Sequence, residues 1–302
     1  MNAIQVHSSP VLEWLSRASG WIYFVAWSLS FYPQAILNYR RKSVEGFSLD
    51  YGSLNVLGFL CYSIYTLGFL LFPTLSSAED APLMRFNDAV FALHALALSS
   101  FTLFQAYGLG YRRAQNQSVS PAATGIFAGA VISCGLLLLR AMWMPKEDPD
   151  AWVDILFGMS YVKVIVTIFK YVPQALLNYH LKSTRGFSIH QITLDITGGL
   201  LSNAQLCLDA YMAGDMSDVT GNPAKFGLGV LSIGYNLVFL WQHYGLYWRE
   251  REEKGGGEDE LAPHTALEPP NTLTGHPQTP IRIQSSIGLP CLFFTSIHPH
   301  HL

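Results

Sequence analysis

The chain of 302 residues is 50% hydrophobic and only 13% charged, against about 25% charged in an ordinary soluble domain. That composition belongs in a lipid bilayer, and a net charge of -3 with basic residues in short, separated clusters excludes a nucleic-acid-binding face. Four cysteines, Cys61, Cys134, Cys207 and Cys291, form no CxxC pair and no metal-ligand spacing, so neither a metal nor another cofactor is expected.

In chain order, residues 1–19 form a short leader of mixed character with no cleavage pattern. A bilayer core about 30 Å thick needs about 20 mostly apolar helical residues. Seven segments meet that requirement, near 20–38, 51–72, 88–108, 122–142, 153–177, 190–212 and 226–247. The sixth is the least apolar because it carries Asp195, Asn203, Gln205 and Asp209, which must face a bundle interior. The fold class is therefore all-α, a multi-pass membrane protein with seven transmembrane helices. Lys and Arg in the loops after spans 1, 3, 5 and 7 number ten, against five on the other side. This bias places the N-terminus in a lumen or outside and the C-terminus in the cytosol. Residues 250–302, rich in Gly, Pro and acidic residues, read as a disordered cytosolic tail.

The chain repeats itself. With Pro33 set over Pro173, an offset of 140 residues, YPQAILNYRRKSVEGFSL lies over YVPQALLNYHLKSTRGFSI with the Pro-Gln, Asn, Lys-Ser and Gly-Phe-Ser elements in register. The two copies lie an even number of crossings apart and so run in the same direction. That predicts two parallel three-helix repeats, 20–110 and 151–249, joined by a linker of helix 4 and loops over 111–150, a known transporter plan. Pro33 and Pro173 each remove a helical hydrogen bond and mark a hinge. Gln34 and Gln174 beside them either satisfy the freed backbone groups or face a cavity. Ser48 and Ser188 are candidate caps of the helices that follow.

These doubled Pro-Gln segments resemble the PQ-loop transporters. GWIYFVAWSLSFYPQ, FNDAVFALHA, FKYVPQALLNY, LDITGG and NPAKFGLGVLSI are similar, in order, to the lysosomal cystine transporters among them. The resemblance covers about residues 18 to 250. It implies a lysosomal or vacuolar membrane protein, not an enzyme, that exports L-cystine together with protons.

Charges present in one copy only mark where the site became asymmetric. Lys163 aligns with Tyr23, Lys170 with Ser30 and Asp195 with Asn55. Ionisable groups in a membrane core cost several kcal/mol unless paired or hydrated, and are functional candidates by default. Lys163 and Lys170 lie two turns apart on one helix face. Snorkelling of either lysine, or a purely structural Lys–Asp pair, is the competing account. Two lysines and a carboxylate suit a substrate with two ammonium and two carboxylate groups. Asp195 is the candidate proton carrier, since partial desolvation of a carboxylate eases its protonation. Asp88 is either a helix N-terminal charge or, as the resemblance implies, a second coupling aspartate. His94 reads as a packed core histidine. The resemblance further implies that Trp27, Phe31 and Asn55 line the cavity. Where the family commonly has aspartate this chain has Asn236, and Gln191 replaces an asparagine, so coupling falls to Asp195 and Asp88. The long lumenal domain of animal relatives and a C-terminal tyrosine sorting motif are not expected. Two other readings stay open: a PQ-loop exporter of cationic amino acids, and a nutrient-sensing receptor or scaffold whose cytosolic loops and tail hold signalling partners.

Overall fold

The computed structural model describes residues 9–72, 86–143, 150–214 and 223–248. The expected tail over 250–302 and the first eight residues of the leader lie outside the described residues. Nine helices follow one another within them: α1 (Pro10–Leu29), α2 (Tyr32–Arg41), α3 (Leu49–Leu71), α4 (Phe86–Tyr107), α5 (Pro121–Trp143), α6 (Asp150–Phe169), α7 (Tyr171–Leu181), α8 (Ile189–Ala213) and α9 (Pro223–Trp241). A π-helical turn, Gln242–Leu246, extends α9.

Seven spans result, because α1 with α2 and α6 with α7 are two broken helices. Proline explains both breaks. Its ring clashes with the carbonyl four residues earlier, which for Pro33 is Leu29 and for Pro173 is Phe169, and these are the last residues of α1 and α6. α2 and α7 both end on a lysine in the left-handed region, Lys42 (φ 47°) and Lys182 (φ 50°). The first helix starts at Pro10 and not near residue 20, since Ser9 accepts a hydrogen bond from Val11 N–H and proline favours the first helical position. Part of the expected leader is thus helical. Ser48 caps α3 by accepting from Tyr51 N–H, whereas Ser188, at the equivalent place before α8, makes no such side-chain bond.

Among the described residues, α3, α4, α5 and the α6–α7 pair are long and apolar enough to cross a membrane. α1 and α8 fall short because each gives one face to polar residues, and those faces pack together. There Ser16 Oγ donates to Asp209 Oδ1 (2.5 Å) and a β-carbon on Gly20 would meet Gln205 Nε2 at 2.8 Å. α5 packs on α6 and α3 and leaves most of its apolar side chains outward, as a lipid-facing helix does.

The two loops that follow α2 and α7 cross each other. A β-carbon on Gly46 (φ +86°) would lie 1.8 Å from the Arg185 carbonyl oxygen, and one on Gly186 (φ +93°) 1.9 Å from that of Glu45. Only glycine permits this approach. The glutamines lock it reciprocally. Gln34 Nε2 donates to Gly186 O (2.9 Å) and its Oε1 accepts from Ser188 N–H (2.8 Å). Gln174 Nε2 donates to Gly46 O (2.9 Å) and its Oε1 accepts from Ser48 N–H (2.7 Å). Each Pro-Gln segment therefore holds the loop of the other repeat. The relay continues alike in both, from Gln34 through Asn38 and Gln105 to Ala35 O, and from Gln174 through Asn178 and Gln242 to Ala175 O.

Candidate functional site

Side chains of both repeats converge on a cavity of about 660 Å³. Trp27, Phe31, Asn55, Asp88, Lys163, Lys170 and Asp195 all line it. Gln34 and Gln174 do not. They are buried at the loop crossing, where their amide groups are fully engaged, so the cavity-facing alternative gives way to a cross-repeat one. Toward the loop end the cavity stops at Tyr51 and Tyr171, which belong to an aromatic cluster with Phe47, Phe187 and Phe239. Toward the other end it reaches Arg17, Gln205 and Asp88, the last in the first turn of α4.

The charged groups are held by position in the repeats. Lys170 sits in the break between α6 and α7, is only 8% exposed, and donates from Nζ to Asn55 Oδ1 (3.0 Å). Asn55 in turn donates to Ser99 Oγ on α4 (2.9 Å). The lysine thus bridges to the first repeat; among the described residues no direct Lys–Asp ion pair forms here. Asp195 Oδ2 instead accepts from Asn236 Nδ2 (2.7 Å), with the Tyr171 hydroxyl at 3.3 Å and Ser232 Oγ at 3.4 Å. Three donors on one oxygen satisfy an ionised carboxylate. Lys163 has its Nζ 3.6 Å from the centre of the Phe59 ring, a cation–π contact.

Aromatic residues frame these groups. Phe31, at the first break, packs edge-on to Phe59 with ring centroids 5.2 Å apart. Trp27 donates from Nε1 to the Asp195 main-chain oxygen (3.3 Å) and lies where a β-carbon on Gly198 would come within 2.4 Å of its Cδ1. Overpacking of this kind costs about 1–3 kcal/mol. Gly198→Val is therefore expected to lower the thermal midpoint of the purified protein by several degrees, read by a melting scan. His94 packs against Phe31 and shares a hydrogen bond with the Tyr32 hydroxyl (3.0 Å), consistent with a core histidine.

Several cavity residues escaped the sequence reading. Tyr171 is one, although the offset of 140 that related the repeats pairs it with Phe31; Tyr51 is paired in the same way with Gln191, which donates to its hydroxyl (2.8 Å). Behind the lining stand Ser99, which the sequence does not mark, and Asn236, which it marks only as an amide in place of the family aspartate. Both support the second-helix residue of their own repeat, yet they lie 137 residues apart, as do Gln105 and Gln242.

The fold and site define a multi-pass α-helical membrane protein built from two parallel three-helix repeats around a shared polar cavity. A family model described as "PQ loop repeat" matches residues 15–75 and 155–213. The chain is 43% identical to "Cystinosin" of Drosophila melanogaster, over 82% of this chain and 62% of that protein. It is 40% identical to "Cystinosin" of Bos taurus (85% and 68%) and 26% identical to the "Cystine transporter" of Saccharomyces cerevisiae (74% and 91%). The chain belongs to the cystinosin family of PQ-loop repeat proteins. It spans somewhat less than two thirds of the length of the Drosophila relative.

Proposed function

We propose that the protein carries L-cystine, together with protons, from an acidic lysosomal or vacuolar lumen to the cytosol by alternating access. The observation that supports this best is one cavity, between two parallel repeats, that presents two lysines and a carboxylate already ringed by donors. Cystine carries a carboxylate and an ammonium at each end. Lys163 and Lys170 suit its carboxylates, and Asp195 with the hydroxyls of Tyr51 and Tyr171 suits an ammonium. Two fixed cations disfavour lysine or arginine as cargo, because like charges in a poorly hydrated space repel strongly.

In this reading the end reached by Arg17 and Asp88 faces the lumen. The loop end, where the glutamines interlock over the aromatic cluster, faces the cytosol and is shut. Opening it separates the loops while Leu29–Pro33 and Phe169–Pro173 bend. A proton on Asp195 removes the negative charge that its three donors stabilise, and that change of bonding is a means of coupling protonation to rearrangement. Asp88, nearer the lumenal mouth, passes protons inward.

The test is uptake of labelled cystine into vesicles holding the purified protein under an imposed pH gradient, with lysine and arginine as competitors. Flux is expected to rise as the substrate side is acidified and to resist both competitors. Asp195→Asn is expected to reduce flux at least about tenfold, the scale of one lost charge-assisted interaction, and to flatten its pH dependence. Full pH-dependent flux in Asp195→Asn sinks the proton role. Efficient competition by arginine points to a carrier of cationic amino acids.

A further inference from the structure

The seven spans fall into two packed groups, and each group draws on both repeats. α1 lies along α8, and α8 carries α9; α3 lies along α4 and α6, and α5 packs on α6. Within the groups, small residues let the helices close up. A β-carbon on Gly20 of α1 would meet Gln205 of α8 at 2.8 Å, and one on Gly58 or Gly68 of α3 would meet Val166 (2.9 Å) or Leu156 (2.5 Å) of α6. Between the groups contact is narrower. α1 meets α4 through aromatic rings, with the Phe24 and Phe91 centroids 6.2 Å apart. The cavity opens along this division. Trp27 and Asp195 stand on the wall of the first group, and Asn55, Lys163 and Lys170 on that of the second. The hydrogen bonds from Trp27 to the Asp195 main chain, from Lys170 to Asn55 and from Asn55 to Ser99 each close within one group.

The two broken helices are different, because each starts in one group and ends in the other. α1 belongs to the first group, yet beyond the break α2 is tied to α4 of the second. Asn38 Nδ2 donates to Gln105 Oε1 (3.0 Å), Gln105 Nε2 donates to Ala35 O (2.8 Å) and the Tyr32 hydroxyl meets His94 Nε2 (3.0 Å). α6 belongs to the second group, yet α7 is tied to α9 and its π-helical turn in the first. Asn178 Nδ2 donates to Gln242 Oε1 (2.9 Å), Gln242 Nε2 donates to Ala175 O (2.9 Å) and the Tyr171 hydroxyl meets Ser232 Oγ (3.1 Å). An unbroken helix fixed by its ends to two bodies resists their relative motion, and a proline break lets it bend. The loop interlock also joins one group to the other. Gln34 on α2 holds Gly186 and Ser188 ahead of α8, and Gln174 on α7 holds Gly46 and Ser48 ahead of α3. At the same crossing α2 meets α8 and α7 meets α3.

We propose that these two groups, and not the two repeats, are the bodies that move. α1, α8 and α9 rock as one against α3, α4, α5 and α6, the breaks before Pro33 and Pro173 are the two hinges, and the glutamine interlock is the latch that parts. Repeat transporters commonly rock one repeat or bundle against the other; here each bundle is made from both. The purpose of the motion rests on the transport reading above. On that reading cystine joins the lysines of one body to Asp195 of the other, so an occupied cavity draws the two walls together.

The test is a set of distances between thioether-linked nitroxide pairs on the full chain, with Cys61, Cys134, Cys207 and Cys291 replaced by serine. The pairs sit at exposed positions: Val11→Cys with Tyr211→Cys joins α1 to α8, Leu71→Cys with Trp152→Cys joins α3 to α6, and Val11→Cys with Val90→Cys joins α1 to α4. Distances are compared between neutral and acid pH, with and without cystine. The first two pairs cross the repeats within a body and are expected to keep one distance, whereas the third, inside one repeat, is expected to shift by several ångströms. A fixed α1–α4 distance with a shifting α1–α8 or α3–α6 distance overturns the proposal in favour of repeat against repeat, and no change in any pair overturns it outright. A shift of the α1–α4 pair alone in a protein that moves no cystine leaves the two bodies standing and removes the transport reading instead. A second measurement uses flux. A short bis-maleimide tether between Ser16→Cys and Asp209→Cys, or between Gly68→Cys and Leu156→Cys, joins the repeats within one body and is expected to leave cystine flux at the level of the same protein treated with a mono-maleimide. Loss of flux on tethering alone overturns the proposal.

Discussion

Gly46→Ala and Gly186→Ala are expected to abolish transport and to destabilise the protein more than any other single methyl group added to it. Each glycine has a positive φ, which costs an L-residue roughly 1–2 kcal/mol. Each added methyl also meets a backbone carbonyl oxygen of the opposite repeat, at 1.8 Å for Gly46 and 1.9 Å for Gly186. A flexible side chain would swing aside; a carbonyl pinned within a loop cannot. The loops must part, and the bonds from Gln34 to Ser188 and from Gln174 to Ser48 break with them. Losses above about 3 kcal/mol arise from a short set of causes, of which overpacking and strained backbone are two. Melting scans and vesicle flux together check this. Gly125→Ala and Gly135→Ala on α5, where an added β-carbon meets nothing within 4 Å, are the controls. Both are expected to be neutral or to gain about 0.5–1 kcal/mol, the usual advantage of alanine over glycine in a helix. Gly46→Ala with wild-type stability and flux would mean that the crossing is not needed.

What the sequence reveals here follows from how local each feature is. Pro33 and Pro173 carry their effect within four residues, so the breaks at Leu29 and Phe169 are readable from one stretch of chain. Lys163, Lys170 and Asp195 stand out because an apolar span makes any charge conspicuous, and all three line the cavity. The role of Gln34 and Gln174 is not readable in this way. Their partners lie more than a hundred residues away in the other repeat, and an amide next to proline looks the same whether it faces a cavity or a loop. The equivalence of Ser99 and Asn236 is hidden by register. The constant offset of 140 holds through the first two helices of each repeat and becomes 137 in the third, because the connection from α8 to α9 is shorter than that from α3 to α4. A comparison made at 140 sets Asn236 against Leu96 and misses its counterpart. The pairing of Lys170 with Asn55, and not with Asp195, likewise depends on how the two repeats face each other, which no single stretch encodes.

That pairing separates the two lysines, and Lys163→Met is expected to act on substrate binding where Lys170→Met acts on the protein itself. Lys170 is spoken for. Its ammonium satisfies Asn55 Oδ1, lies 4.6 Å from the Tyr171 ring centre and feels the charge of Asp195. Removing it strands a buried amide oxygen, a loss of about 1–3 kcal/mol, and loosens the joint between α6 and α7. Lys170→Met should therefore lower the melting temperature and reduce flux at every substrate concentration. Lys163 is engaged differently. An ammonium has three donors, and among the described residues its contact is the face of Phe59, which uses none of them as a conventional hydrogen bond. Those donors are available to a substrate carboxylate in the cavity. A charge-assisted hydrogen bond contributes about 1.5–3 kcal/mol, so Lys163→Met should raise KM for cystine by roughly 10- to 100-fold. The maximal rate should change far less, and the melting temperature should hold or rise, because a methionine in that position no longer buries a charge. Flux measured against cystine concentration, alongside melting scans of both variants, distinguishes the two roles. Equal effects of the two substitutions on KM would mean that Lys170 releases Asn55 to take the second carboxylate when cystine enters.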